Sequence, residues 1–581
     1  MTDGLGLEGA YGETLSRIKG QGEEESKLGM ATLMWISHSE RPLEVNELCH
    51  ALGVEIGSAD LDGDNIPSIA TLLACCQGLV IVDKEASTIR LIHFTLQEYL
   101  EAHFGLFDRP HSTMAEICLS YLNSRQIKAI STSPFPDLLG TPFLEYSSLY
   151  WGVHAKRDFS GCAKQLVLKL FEDYGNHIST GILLSEHGGY GLPTESDGSF
   201  LFTSLHCASL FGIVEVVAFL VAVEACDINQ LDVRGATPLT WAAENGHVGV
   251  VEILLGRDDV EPDRPDDWGR TPLWCAAENE HVGVVKILLR RGDVKPNQPM
   301  DLGGYSQTPL MWAAENGHMG VVEILLGQDD VEPDEPDDWG QTPLACAAVN
   351  EHVGVVEIIL RRGDVKPNQP MDLCESSQTP LAWAAENGHD RVVEILLGRD
   401  DVEPDKPDDW GQTPLSWAAG SGQEGVVKLL LGRGDVNPDH GQTALSCAAS
   451  NGHEGVVKLL LGRGDVNLDK PDETGETPLG SAASHGHEGV VKLLLERDDV
   501  DPDKTDNHGR TPLFWAARNG HEGVVKLLLG QGDVNLDKLD ETGETPLGSA
   551  ASNGHEAVVK LLLERDDVDP DKTNYHGRTP L

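Results

Sequence analysis

The sequence predicts a mostly α-helical chain: nearly two thirds of it forms a solenoid of helix-turn-helix units with hairpin fingers, and a smaller non-repeating domain and a helical connector precede it. Three observations carry that reading. Thr-Pro-Leu recurs at Thr237, Thr271, Thr308, Thr342, Thr379, Thr413, Thr477, Thr511, Thr545 and Thr579, and Thr-Ala-Leu at Thr443 keeps the register. The steps are 34 or 37 residues, except for one of 30 from Thr413 to Thr443, and a degenerate copy at Thr203 stands 34 residues before Thr237. Each motif is followed by two short apolar stretches at helical spacing and then by a stretch rich in Asp, Pro and Gly. A fixed period of this size means stacked units, an architecture that binds more often than it catalyses.

The unit from Thr511 to Gly530 shows the local physics. Thr511 is an N-cap whose hydroxyl accepts an orphan backbone N–H, and Pro512 is preset for the first helical turn. Leu513, Ala516 and Ala517 line the inner side of the helix that follows. Gly520 ends it, because glycine takes the left-handed cap at little cost, and His521 opens the turn to a second helix. There Val524, Val525, Leu527, Leu528 and Leu529 form the apolar stripe, with Lys526 outside. Neither helix buries its face alone, so the faces are covered by stacking copies. Between copies, segments such as Gly256 to Gly269 carry Asp, Pro and Gly and read as extended, hairpin-like fingers.

This pattern resembles the ankyrin repeat, whose signature is T-P-L-H-x-A. The resemblance covers residues 201–581, about eleven repeats and a truncated twelfth. The family's signature histidine appears at His206; elsewhere the position holds Thr240, Trp274, Met311, Ala345, Ala382, Ser416, Ser446, Gly480, Phe514 or Gly548. Thr237 to Gln307 closely matches Thr308 to Gln378, and Asp472 to Asp506 closely matches Asp540 to Asn574. Such near-identical neighbours suit a recognition surface that varies by repeat number, and a recent unselected expansion has the same appearance.

Composition agrees. The chain of 581 residues has 43 Lys plus Arg against 94 Asp plus Glu, a formal charge of −51. Nucleic acid and anionic membranes are poor partners for such a surface, because their phosphates are repelled. No apolar run approaches the roughly 18 residues that span a bilayer, and no signal peptide opens the sequence. Eleven scattered cysteines without a C-x-x-C fit a reduced setting, cytoplasmic or nuclear.

Residues 1–25 read as an acidic N-terminal segment and 26–107 as a separate domain. Helices are expected over Ser26 to Ser37, Val45 to Leu52 and Ile66 to Cys76, strands over Leu79 to Val82 and Thr88 to Phe94, and a last helix from Thr95 to Ala102. Three helices followed by a hairpin is the order of a winged helix. A DNA-reading role meets the objection that the third helix holds no Lys or Arg for phosphate or base edges. The run Leu91 to Ala102, LIHFTLQEYLEA, is similar to the H-x-x-x-Q-E-[FY] end of the winged helix in NACHT-type, NLR-like signalling ATPases. Tyr11 to Phe104 resembles the segment after the NACHT domain in fungal ankyrin-repeat receptors. The resemblance implies that His93 contacts the phosphates of bound ADP, provided that an NTPase domain is supplied, since this sequence has no G-x-x-x-x-G-K-[ST] of its own. A histidine packed at a strand end is the plainer reading. Residues 108–200 form the connector, with helices expected over His111 to Leu122, Pro142 to Ala155 and Cys162 to Asp173, and are expected to cap the first repeat.

No catalytic constellation, cofactor site or metal site emerges. His247, His318, His389, His453, His487, His521 and His555 share one repeat position and are spread along a ridge by stacking, so they do not converge on an ion. Acidic runs such as Asp258 to Asp263 lack the glycine and terminal glutamate of a calcium loop. Cys275, Cys346 and Cys447 stand where Trp241, Trp312, Trp383, Trp417 and Trp515 stand in other repeats, which indicates packing. The binding face is instead expected at the finger tips, Trp268, Tyr305, Trp339, Trp410, His440 and His508, and on the first helices at Glu244, Glu278, Glu315, Glu386 and Arg518. Aromatic anchors beside acids suit protein partners with basic surfaces.

The sequence therefore points to a non-catalytic interaction protein, by resemblance the sensing part of a fungal NLR-like receptor. A stand-alone scaffold or adaptor and a winged-helix transcription regulator are the alternatives. Both ends read as unfinished, and self-association through an uncapped last repeat is expected.

Overall fold

The computed structural model describes residues 4–83, 85–103, 105–130, 140–188, 202–223, 226–301, 306–371, 377–472, 474–532 and 534–580. The chain divides into two compact units, Met1–Lys295 and Pro296–Leu581.

The first unit opens with helices α1 (Gly4–Lys19), α2 (Glu23–His38), α3 (Val45–Gly53) and α4 (Ile69–Cys75), strands β1 (Val80–Asp83) and β2 (Thr88–Leu91), and α5 (Phe94–Ala102). Local chemistry sets several of these boundaries. A reciprocal capping box of Glu44 and Glu47 starts α3, and the Ser68 hydroxyl accepts the Thr71 N–H to start α4. β1 and β2 pair antiparallel with Val80 opposite Leu91 and Asp83 opposite Thr88. The Ile89 N–H donates to Leu43 O at 3.0 Å, and Glu44 bridges to Thr88, so the segment before α3 extends the hairpin. Leu33, Trp35, Leu48, Leu72, Cys76 and Leu96 are fully buried between these elements. Gly29 in α2 lets α4 approach, since a Cβ there would stand 2.8 Å from Cys75 O. This is a winged-helix domain, and α1, a segment without helical expectation from the sequence, adds Leu15 and Ile18 to its core.

The connector follows as α6 (Pro110–Leu122), α7 (Arg125–Lys128), α8 (Leu144–Arg157), α9 (Gly161–Phe171) and α10 (Ile178–Gly188). It packs on the Thr203 repeat through aromatic edges, with Trp151 and Phe211 at 5.1 Å between ring centroids. Gly152 makes that contact: any Cβ there would penetrate the Phe211 ring. The Cys207 thiol also donates to Tyr174 Oη at 3.0 Å. Three repeats, starting at Thr203, Thr237 and Thr271, complete the unit.

The second unit holds the repeats from Thr308 to Thr545. In both units every repeat begins alike. The threonine hydroxyl accepts the backbone N–H three residues on, as at Thr237, Thr342 and Thr511, and proline at the first turn follows except in the Thr203 and Thr443 repeats. The first helix buries its leucine and alanines, Leu513, Ala516 and Ala517 among them; the second buries two valines and a leucine, as at Val524, Val525 and Leu528. Gly520 ends its helix at φ +78°. Glu280 and Glu351 stand at the same turn position in their repeats and are held at φ +57° and +58°, where a side chain is strained.

The fingers are mostly consecutive turns. In the second unit a strand pair, β3 (Met300–Asp301) with β4 (Ser306–Gln307), and an isolated bridge from Met371 to Gln378 form at the two 37-residue steps. Three extra residues there give the finger enough length for a ladder.

Candidate partner-binding face

Seven of the fingers are built on one aspartate each. Asp232, Asp266, Asp337, Asp408, Asp472, Asp506 and Asp540 turn their Oδ1 onto backbone N–H groups two and four residues ahead, at 2.7–3.0 Å. The second oxygen reaches back to the first helix. Asp232 Oδ2 accepts Trp241 Nε1–H at 2.8 Å, Asp408 accepts Trp417 at 2.9 Å, and Asp506 accepts Trp515 at 3.2 Å. Where the helix carries cysteine the arrangement changes: Arg270 Nε donates to Asp266 Oδ2 at 2.9 Å beside Cys275, and Asp337 Oδ2, near Cys346, is buried without a partner. Trp241, Trp417 and Trp515 therefore brace fingers, whereas the Trp383 indole nitrogen is buried without a partner, and Cys275, Cys346 and Cys447 are buried among helices.

The expected binding residues fall into distinct settings. Trp268 is half-buried beneath the Arg270 guanidinium, 4.7 Å from the ring centre. Arg270 also lies 3.9 Å from Glu244 and 3.5 Å from Glu278, so these four residues converge in the first unit. Burial raises the Glu278 carboxyl above its ordinary range, against the pull of Arg270. Glu315 accepts from Gln307 Nε2 at 3.1 Å and Glu386 from Gln378 at 3.4 Å, both half-buried. Arg518 lies over its own Trp515 at 5.7 Å. Trp339 is half-buried; His440 and His508 are exposed, the latter 3.2 Å from Glu541. Tyr305 lies outside the described residues. Trp410 is the one exposed tryptophan among them, with 48% of its surface open.

The ridge histidines lock neighbouring repeats. Nε2–H of His247 donates to Leu210 O at 2.8 Å, and His352, His389, His453, His487, His521 and His555 make the same bond to the preceding repeat at 2.8–3.0 Å. His318 stands at the equivalent position, just before its second helix. The rings of His247, His352, His453, His487, His521 and His555 lie against the left-handed glycines of the preceding turn, so a Cβ on Gly452 or Gly520 would meet His487 or His555 at 2.6 and 2.5 Å. His206 bonds Ala236 O at 3.2 Å, and in later repeats, where the signature histidine is missing, the ridge carries inter-repeat bonding. A second inter-repeat clamp has no counterpart in the sequence expectations. Arg257, Arg291 and Arg362 donate to the carbonyls of Val221, Leu255 and Leu326 at 2.8–3.1 Å while gripping Asp259, Asp293 and Asp364 with both other nitrogens. Within the Asp258 to Asp263 run, Asp259 is gripped this way, Glu261 pairs with Arg264 at 2.9 Å, and Asp263 accepts the Lys295 N–H at 3.0 Å.

His93 caps α5, its Nδ1 accepting the Thr95 N–H at 3.3 Å, and is exposed. Its neighbours Ile92 and Phe94 are 51% and 67% exposed, an apolar patch at the end of the winged helix. At the joint with the connector, Glu40, His111 and His154 bring their ligand atoms within 4.8 Å of one another. Tyr146 Oη accepts the Glu40 N–H and so donates its proton to His154 Nε2 at 3.0 Å, which leaves His154 Nδ1–H to donate to His111 Nδ1 at 3.0 Å. Arg157 holds both Glu40 oxygens. The lone pairs an ion would need are thus already engaged by protons and a guanidinium.

Among the described residues no helix is long and apolar enough to cross a membrane. Family comparison matches residues 17–115 to the GPI inositol-deacylase winged helix domain. Ankyrin repeats (3 copies) match in overlapping segments from 174 to 538, and ankyrin repeats (many copies) match 522–563. Among solved structures, the ankyrin repeat domain of Bcl-3, described as a unique member of the IkappaB protein family, aligns at 31% identity with a TM-score of 0.32, over 36% of this chain and 93% of that one. With the repeats covering most of its length, the chain belongs to the ankyrin-repeat family and carries an N-terminal winged-helix domain.

Proposed function

We propose that the chain is a non-catalytic recognition protein whose acidic finger row captures a basic segment of a partner protein. Ankyrin repeats form protein–protein interaction modules, and the observation that carries the reading to these fingers is Trp410. A ring left 48% open among aspartates has the properties of an interface anchor: large area, low ordering cost and acids that steer a basic partner. Trp241, Trp417 and Trp515 support the fingers from behind, so the role of Trp410 differs from theirs. Proteins retained from a cell lysate by the full chain and by a Trp339→Ala/Trp410→Ala variant test this. Loss of specific capture with unchanged circular dichroism supports the proposal; equal capture refutes it.

We further propose that the winged helix belongs to a fungal NLR-like switch, with an NTPase domain acting beside it. Ile92 and Phe94 flank His93 as an uncovered apolar patch, the surface such a domain would cover. Self-association through the last repeat belongs to the same reading. Its second helix, Glu556–Leu563, leaves Leu563 41% exposed, and light scattering that shows a monomer at all concentrations would exclude it.

A further inference from the structure

The 30-residue step lacks four finger residues. Asp405-Lys406-Pro407-Asp408-Asp409-Trp410-Gly411 in one repeat is matched in the next by Asp439-His440-Gly441, without the aspartate that builds the turn. The short finger leans back, its Gln442 N–H donating to Gly411 O at 2.9 Å. A cleft of about 670 Å³ opens there, lined by Asp409, Trp410, Gln442, Pro471, Asp472 and Thr474. The Trp410 indole and Pro471 both line it, together with the carboxylates of Asp409 and Asp472.

The chain itself shows what suits such a ring. Arg234 covers Trp241 at 3.9 Å, Arg270 covers Trp268 at 4.7 Å, and Arg510 covers Trp515 at 5.0 Å. The position of Arg270 is Gln412 in the Trp410 repeat, so no arginine of its own finger reaches the Trp410 ring. The nearby Lys406 and Lys470 are turned to backbone carbonyls, of Asn368 at 3.0 Å and of Asp439 and Gly441. Asp409 spends one oxygen on the Ser377 hydroxyl and keeps the other.

Deepening the proposal that the finger row captures a basic segment, we infer that this notch takes an arginine side chain of the partner. The guanidinium lies on the Trp410 face and its charge meets Asp409 and Asp472. Cation–π contact and carboxylate pairing act together, and a planar guanidinium stacks on an indole face and pairs with carboxylates in a fixed fork, which an ammonium does not.

The test uses the full chain and fluorescein-labelled Gly/Ser peptides carrying arginine, lysine or citrulline, the last an uncharged isostere of arginine. Anisotropy should show saturable binding of the arginine peptide and at least tenfold weaker binding of the citrulline one. Trp410→Ala should weaken the arginine peptide about tenfold. Restoring Lys-Pro-Asp-Asp between Asp439 and His440 fills the notch with a finger of the length used elsewhere and should weaken it similarly, while Trp268→Ala leaves it unchanged. Arginine binding that survives both changes within twofold overturns the notch and leaves basic-segment recognition standing. An absence of saturable arginine binding also overturns the notch, and the lysate comparison then decides the recognition proposal separately.

Discussion

The indole N–H of Trp417 donates to Oδ2 of Asp408 at 2.9 Å, tying the first helix of a repeat to the finger that presents Trp410. The other oxygen of Asp408 holds the N–H groups of Trp410 and Gln412. One carboxylate therefore sets both the turn and its angle to the helix. Trp417→Phe keeps the ring and removes the donor, and should cost about 1.5–3 kcal/mol, the range for a hydrogen bond to a charged group. Hydrogen exchange should show the loss concentrated in the Thr413 repeat, because repeat arrays couple mainly to nearest neighbours; protection unchanged there would show that the finger holds itself.

Glu351 sits at φ +58° where most repeats have glycine. Left-handed strain for a side chain is about 1–2 kcal/mol, and glycine returns about 0.5–1 kcal/mol of that through the unfolded state. The ion pair with His389, at 3.6 Å and on a largely exposed glutamate, adds little. Glu351→Gly is thus expected to stabilise by about 0.5–1 kcal/mol, read as a higher denaturation midpoint; a lower midpoint would mean that the His389 contact outweighs the strain.

Glu476 occupies the position of Gln341, Gln412 and Gln442, but its Oε1 is buried without a partner. Burial first, then Asp472 and Asp506, push its carboxyl up to about 7, against the opposite pull of His485. An acid with a raised folded value destabilises as it ionises, so this penalty grows as pH rises from about 4.5 to about 7 and remains above it. Glu476→Gln should raise the melting temperature at pH 8 and leave it unchanged near pH 4. A uniform shift at both pH values would contradict the ionisation argument.

The histidines at the winged-helix joint respond in the opposite direction. Burial lowers His154 to about 3, with His111, Arg157 and His38 adding to the effect, and lowers His111 to about 4, with Arg157 and His38 adding and Asp158 opposing. Such groups contribute stability that is full above the ordinary value near 6.5 and is lost as pH falls toward 4. Amide exchange in α6 and α8, corrected for intrinsic rates, should speed up between pH 7 and pH 5, and His111→Gln should flatten that response. Equal protection at both pH values would show that the joint does not titrate.

Much of this was legible because the repeat writes its physics locally. The Thr-Pro pair fixes the helix start, the left-handed glycine its end and the Val-Val-Leu triplet its buried face, all within a few residues of one another. The winged helix was readable for the same reason: Leu79 to Phe94 alternates around a turn, although β2 stops at Leu91 and His93 becomes the cap of α5. What stayed hidden depends on residues far apart in sequence. The Trp-to-Asp brace links positions nine apart across a helix start, and the Arg257 clamp needs Val221 from the preceding repeat. α1 and α10 carry glycines and weak periodicity, and they fold because tertiary burial of Leu15, Ile18 and Leu183 compensates. On the candidate face, Trp268, Trp339 and Trp410 occupy the same position in the repeat; Arg270 lies over the first, while Trp339 and Trp410 both have glutamine there and differ in the finger that follows, which is shorter after Trp410.

On this reading partner protein lands on the fingers around Trp410, and hydrogen-exchange mapping of the full chain, free and with a protein it captures, locates that landing site. Protection gained over residues 405–412, 437–442 and 471–477, with the second helices Asp390–Leu397 and Glu424–Leu431 unchanged, is the expected result. Protection confined to those second helices, with the fingers unaltered, would contradict it.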